Sequence, residues 1–159
     1  QFLLSCMTGM RISDVVNLTE ANIQKSEIVY VAQKTNTIVR TVNNPITEQL
    51  IREKKNLSFS LYNCNLLIKE ICKKANINSL VQVRWGGITE VGEKHQFVSS
   101  HDGRRSFATN TFEETNNLKL VSELMGHSDT KTTESYICIT THDTSQVREM
   151  FGKLNFATG

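Results

Sequence analysis

Apolar and polar positions divide this chain into short segments of two different periods. Phe2, Leu3, Leu4, Cys6 and Met7 read as the end of a packed helix, which Thr8-Gly9 interrupts just before Arg11. Ser13 then stands where an N-cap is expected for a short helix holding Val15, Val16 and Leu18, with Asp14 near its positive end. Ile28-Val29-Tyr30-Val31 and Thr37-Ile38-Val39-Arg40-Thr41-Val42 are rich in β-branched residues and are separated by AQKTN. That pattern predicts two strands joined by a turn, with Lys34 beside the turn. Asn43-Asn44-Pro45 breaks it, and a helix is expected from about Ile46 to Lys54. Another is expected from Asn63 to Lys74, where Leu66, Leu67, Ile71 and Ala75 recur at helical spacing.

Between Leu80 and Val98 apolar and polar residues alternate around Gly86-Gly87 and Gly92, which reads as a loose hairpin or extended insertion. Ser99 or Ser100 is placed to cap a helix that begins at His101 and runs through Phe107, Ala108 and Phe112. Leu118 to Met125 forms the next helix, ended by Gly126, and Ser128 is expected to cap another leading towards Tyr136. Val147, Met150 and Phe151 make a last amphipathic segment, with a flexible tail expected from about residue 152. The fold class is therefore mainly α with a small antiparallel β-sheet (α+β).

With 159 residues, 38% of them hydrophobic, the chain is long enough for one sizeable core, so a single domain over 1–159 is expected. The opening QFLLSCMTGM lacks an initiator Met and enters apolar sequence at once, as expected of a domain cut from a longer protein. It has neither the basic leader nor the cleavage ending of a signal peptide, and no apolar run reaches the roughly 18 residues of a membrane-crossing helix. Cys6, Cys64, Cys72 and Cys138 form no CxxC pair, which favours reduced, buried thiols in a cytosolic protein over a zinc site. A net charge of +2 neither demands nor excludes nucleic acid. Any nucleic-acid site must show in where individual charges fall.

His101 and Arg104 are spaced to share one face of a helix and one ligand. Arg11 offers a second guanidinium from far upstream, and two arginines suit the non-bridging oxygens of a phosphate. His127, directly after Gly126, adds another donor. Tyr136 would serve as a nucleophile, its hydroxyl displacing a deoxyribose oxygen and storing the bond energy as a phosphotyrosine. The leaving 5′ oxygen then needs a proton, and Lys34, on a turn able to swing into a closed site, is the candidate general acid. No carboxylate pair for a metal is required. Each residue alone is better explained as a solvated charge, a hydrogen-bonded imidazole or a packed ring. Their joint occurrence in a fixed order is what carries weight.

That pattern resembles the catalytic domain of the tyrosine recombinases, the phage-integrase family. TGMRISDVVNL resembles the family's first arginine box, QKT its β-hairpin lysine, SSHDGRRSFAT its His-x-x-Arg box and LMGHSDTKTTESY its Gly-His to Tyr box. The likeness runs from Phe2 to about Phe151. Gly103 departs from it, standing where many members carry a larger apolar residue, as does Arg105, where His or Lys is frequent. The resemblance implies the family's catalytic-domain fold, a 3′-phosphotyrosyl intermediate, strand exchange through a Holliday junction, and neither metal nor nucleotide cofactor. It further implies double-stranded DNA at a crossover site as the partner, a tetramer on DNA, no membrane, and a bacterial cytoplasmic location at the nucleoid. The family's N-terminal core-binding domain has no counterpart in this sequence.

On the resemblance, Arg11 and Arg104 activate the scissile phosphate, His127 hydrogen-bonds to it, His101 assists proton transfer at Tyr136, and Lys34 protonates the leaving oxygen. The wording around GRRSFATN is most similar to integrases of mobile elements in Bacteroides-type bacteria. Two other readings compete. His101-Asp102 with His95, His127 and His142 suggests a metal-dependent phosphohydrolase, although Asp102 would point away from the His101 and Arg104 face. The other is a DNA-binding module of recombinase ancestry that no longer reacts.

Overall fold

The computed structural model describes residues 1–53 and 60–137. Helix α1 spans Phe2–Thr8 and stops at Gly9, whose φ of 69° is left-handed. A Cβ there would lie 2.4 Å from the Phe107 ring, so both conformation and space select glycine. Helix α2 (Ile12–Asn17) begins at once, and its N-cap position is Arg11 itself. This corrects the expected capping by Ser13, which lies within the helix. Asp14 is in the first turn as predicted, and buried.

A 3-10 turn at Glu20–Asn22 leads into a three-stranded antiparallel sheet of β1 (Ile23–Gln24), β2 (Glu27–Ala32) and β3 (Thr37–Val42). The two longer strands fall where β-branched composition put them; the two-residue β1 is too short to leave a pattern. Pairing Ile28 with Thr41 and Tyr30 with Val39 gathers the buried residues of both strands on one face. Helix α3 (Pro45–Glu53) follows. With Leu4, Met10, Val15, Leu18 and Ile51 that sheet face forms the principal core.

Helix α4 (Leu61–Lys74) matches the expected span but not the expected face. Leu66, Leu67 and Ile71 are exposed, whereas Cys64, Ile68 and Cys72 are buried against Phe2, Ile12 and Val98. The strict i, i+4, i+8 row on one side of the helix decided the contact, and the leucines are spread beyond it. The insertion from residue 80 is a regular hairpin of β4 (Leu80–Trp85) and β5 (Ile88–Glu93). Gly86 and Gly87, both with positive φ, form its two-residue turn. A short helix α5 (Lys94–Phe97) then returns the chain to the body.

Helix α6 (Ser100–Thr115) opens with Ser99 and Asp102 in a capping box, the Asp102 carboxylate accepting from the Ser99 N–H at 2.7 Å. It crosses α1 closely at Gly103, where a Cβ would meet Phe2 at 3.0 Å and Cys6 and Ser5 at 3.2 Å. That close approach accounts for the glycine. Helix α7 (Leu118–Leu124) ends in a Schellman motif, with His127 N–H bonded to Ser122 O at 2.9 Å and Gly126 N–H to Glu123 O at 3.0 Å. Helix α8 (Thr130–Glu134) is capped by Asp129, not the expected Ser128. The carboxylate of Asp129 takes the Lys131 N–H.

Phe107, Ala108, Val121 and Met125 make a second core beneath Tyr136 and Ile137. The result is the mainly α architecture with small antiparallel sheets that the sequence predicts. Cys6, Cys64 and Cys72 are free, and burial pushes all three thiols up and keeps them protonated. Cys138, the segment at Val147, Met150 and Phe151, and the tail from about 152 lie outside the described residues. No described helix is long and apolar enough to cross a membrane.

Gly9→Ala should lower the unfolding free energy by roughly 2–4 kcal/mol, combining a left-handed alanine with displacement of a packed ring. Denaturant titration checks this, and a change below about 0.5 kcal/mol would contradict the account.

Candidate active site

Three consecutive carbonyls at the α1–α2 junction are each taken by a side chain. Thr41 Oγ1 donates to Thr8 O at 2.7 Å, Arg104 Nη1 donates to Gly9 O, and Ser5 Oγ donates to Met10 O at 2.7 Å. The junction is thereby fixed to β3, α6 and α1, and it holds Arg11 at the start of α2. Arg104 reaches it from α6, where it is 1% exposed. Its Nη2 also donates to Met125 O, the last turn of α7, and to His127 Nε2, each at 2.6 Å. The Schellman turn at Gly126 is what presents both partners. A Cβ on Gly126 would lie 2.4 Å from Val39.

Tyr136 sits half-buried over this group. Its ring lies 5.7 Å from the Arg104 guanidinium carbon, 5.3 Å from the His127 ring and 6.4 Å from the His101 ring. The chain before it is held to α6 by Arg105 Nη2 on Ser135 O and by Thr109 Oγ1 on Tyr136 O, each at 3.4 Å. Beside this cluster lies a cavity of about 320 Å³ with Arg11, Arg104 and His101 in its wall. The expected pairing of His101 and Arg104 on one ligand-facing side of α6 is found.

Electrostatically the site is short of negative charge. Among the described residues neither Arg11 nor Arg104 forms an ion pair with a carboxylate. Burial, and then the Arg11 charge, lower the Arg104 pKa, while Tyr30 and Tyr136 oppose the shift. His127 is pushed down to about 4, first by desolvation and then by Arg104 and Arg11, so its imidazole is neutral at ordinary pH. Arg11 Nη1 and Arg104 Nε are buried donors without partners. Such donors are costly unless something supplies an acceptor. An anion in the cavity would meet that need.

Five of the six residues singled out in the sequence, Arg11, His101, Arg104, His127 and Tyr136, therefore converge. Lys34 does not join them: it lies in the exposed 33–36 turn, away from the cavity and from the rings around Tyr136. That turn is nevertheless tethered to the Arg11 helix, because Asp14 Oδ1 accepts from Gln33 N–H at 2.9 Å. Sequence reasoning gave Asp14 only a helix-dipole role. It also passed over Tyr30, whose buried hydroxyl is pushed up to about 12 by desolvation, with the neighbouring Arg104 guanidinium opposing the shift. Thr133, 0% exposed and 2.9 Å from His127 Nδ1, was likewise missed. Its place in the row TKTTESY, one helical turn before Tyr136, was the available signal.

Of the residues suggested for metal binding, His127 is bonded to Arg104 and Thr133, and His142 lies outside the described residues. Asp102 caps α6, and His95 Nδ1 lies 3.3 Å from Glu93. Among the described residues no group of three or more His, Cys, Asp and Glu is arranged to hold a metal ion.

Arg11 and Arg104 thus line one cavity with His101, and the His-flanked Tyr136 ring packs against Arg104. Residues 1–142 match the model of the phage integrase family, and the chain belongs to that family. It is 27% identical over 164 aligned positions to the tyrosine recombinase XerD of Staphylococcus aureus, covering 93% of this chain and 51% of that protein. To the tyrosine recombinase XerA of Pyrococcus furiosus it is 30% identical over 142 positions, covering 87% and 49%. The chain thus spans about half the length of these relatives. Among solved structures, the XerH site-specific recombinase in a post-cleavage complex with its palindromic difH substrate superposes with a TM-score of 0.69 at 16% identity. That alignment covers 96% of this chain and 44% of the other and shows a shared fold.

The depressed His127 pKa fixes the sign of a pH effect. An unfolded histidine, with a pKa near 6.5, binds a proton that the folded one refuses until about pH 4. Stability should therefore fall as pH drops from about 6.5 to about 4, and be flat for this group above that window. Denaturation midpoints across those pH values should slope less steeply for His127→Asn than for wild type; parallel slopes would refute the assignment.

Proposed function

We propose that this chain is the catalytic domain of a site-specific tyrosine recombinase that cleaves and rejoins DNA through a 3′-phosphotyrosyl intermediate. The observation that carries the reading is the convergence of Arg11, Arg104 and His101 on one cavity, with the Tyr136 ring packed against Arg104 between the rings of His101 and His127. A phosphodiester supplies two non-bridging oxygens for those two guanidiniums. As the phosphorus becomes pentacoordinate, charge grows on the same oxygens, so fixed donors stabilise the transition state more than the ground state.

Tyr136 Oη attacks the phosphorus, a bond to Tyr136 forms, and the bond to the 5′ oxygen breaks. His101, whose ring lies 6.4 Å from that of Tyr136, takes up the phenolic proton. His127 donates a hydrogen bond to a phosphate oxygen. Lys34 delivers a proton to the leaving 5′ oxygen once its exposed turn closes over bound DNA. Attack of a new 5′ hydroxyl on the phosphotyrosine reverses these transfers and frees Tyr136. No metal or nucleotide is consumed in this sequence.

The partner on this reading is double-stranded DNA at a crossover site, and strand exchange proceeds through a Holliday junction within a tetramer. A second domain N-terminal to this one would complete the grip on the duplex. The wording around GRRSFATN supports an origin in a bacterial mobile element of the Bacteroides type, acting at the nucleoid. A net charge of +2 fits a domain that provides only part of the DNA-binding surface.

Nicked duplexes tiling the DNA that flanks the gene, incubated with the full-length protein, test the mechanism. Wild type should form a covalent protein–DNA adduct and Tyr136→Phe none; an adduct with Phe at 136 would end the proposal. Arg11→Ala should slow cleavage by on the order of a hundredfold, equivalent to about 3 kcal/mol of transition-state stabilisation, with a much smaller loss of DNA affinity.

A further inference from the structure

His127 makes two hydrogen bonds whose directions can be assigned from chemistry. A guanidinium N–H only donates, so with Arg104 Nη2 2.6 Å away, Nε2 of the ring must accept. The ring is neutral, since burial and the Arg104 and Arg11 charges push its pKa down to about 4. Its one proton therefore resides on Nδ1, which lies 2.9 Å from Thr133 Oγ1 and donates to it. Thr133 is fully buried on α8, and its backbone carbonyl accepts from Tyr136 N–H at 2.9 Å. One residue thus touches both the imidazole and the turn that carries the nucleophile.

This resting arrangement is the wrong one for a ring that must donate to phosphate. In the free site Nε2 is a lone pair committed to Arg104. For Nε2–H to reach a phosphate oxygen, solvent water has to deliver a proton to Nε2 and take up the one leaving Nδ1, so that the ring's charge does not change. Nδ1 then becomes a buried acceptor and needs a donor. A hydroxyl meets both demands, because it accepts in one state and rotates to donate in the other. A carbonyl or a carboxylate would hold only the Nδ1–H form.

We propose that Thr133 is a positioning residue that sets the tautomer of His127. Its hydroxyl accepts from Nδ1–H while Nε2 holds Arg104, and reverses to donate when Nε2 turns to phosphate. The second half rests on the strand-cleavage reading above; the first stands on the geometry of the free site. Exchange of the Arg104 contact for a phosphate contact also frees an Arg104 N–H for the same anion. Substrate binding and release of the resting contact are then one event.

The test pairs a spectroscopic readout with a rate, using 15N-histidine-labelled full-length protein and the Thr133→Val and Thr133→Ser variants. Without DNA, His127 in wild type and Thr133→Ser should show a protonated Nδ1 and a bare Nε2. Thr133→Val, similar in shape but without the hydroxyl, should lose that signature, while unchanged His95 and His101 signals report an intact fold. In adduct formation on the nicked duplexes, Thr133→Val should be about tenfold slower at unchanged DNA affinity, and Thr133→Ser within about twofold of wild type. A wild-type ring protonated at Nε2, or a Val variant with wild-type ring signals and rate, overturns the proposal. A wild-type protein that forms no adduct overturns the strand-cleavage reading and the reversal with it; the ring signals still decide the resting tautomer.

Discussion

A guanidinium that is 1% exposed has given up its hydration, and the fold around Arg104 is organised to replace it. The acceptors are Gly9 O at the end of α1, Met125 O at the end of α7, and the lone pair of His127 Nε2. Terminal helix carbonyls lack partners within their own helices and carry partial negative charge, so they suit a buried cation. Both helix ends turn through glycines with positive φ, Gly9 and Gly126, and at each a Cβ would collide with a neighbouring core side chain. Loss of either turn would leave part of a buried charge without an acceptor, a far larger cost than one missing surface contact. α1, α6 and α7 are tied together through a single side chain.

The choice of acceptors decides what the site is able to do. A buried arginine paired with a carboxylate is neutralised and offers little to an incoming anion. Dipoles solvate Arg104 without cancelling its charge, so the positive potential persists and adds to the desolvation that depresses the pKa of His127. The same anchoring dictates position along the chain. Arg11 follows Gly9 by one intervening residue, and His127 follows Met125 by one, so the carbonyls that hold Arg104 also place its two neighbours. On the proposed mechanism, structural support and phosphate recognition draw on the same side chain.

Much of this was legible in the sequence because it depends on local rules. The β2 and β3 strands were visible through β-branched composition, and the ends of α1 and α7 through their glycines. Errors arose where a choice among adjacent candidates depended on tertiary contact. Ser128 and Asp129 are both good caps, and only the carboxylate reaches the Lys131 N–H. On α4 the count of leucines pointed to one face, while the row Cys64, Ile68, Cys72 met Phe2, Ile12 and Val98. In the site, residue type and order singled out the arginines, histidines and tyrosine. Thr133 and Asp14 were missed because a threonine or aspartate in a helix has an ordinary explanation until its partner is seen.

Lys34 is separated from the cavity, yet the turn that carries it is tied to the helix that begins at Arg11. The lysine itself is in solvent, but Gln33 just before it is bound through its N–H to Asp14, one helical turn beyond Arg11. Asp14 is buried, and its second carboxylate oxygen has no hydrogen-bond partner. A buried carboxylate with one satisfied oxygen holds its remaining contact strongly, since giving it up would leave a bare charge. The base of the turn is therefore fixed to the Arg11 helix while its tip is exposed. On the proposed mechanism, a general acid mounted this way is delivered from the same helix that carries Arg11.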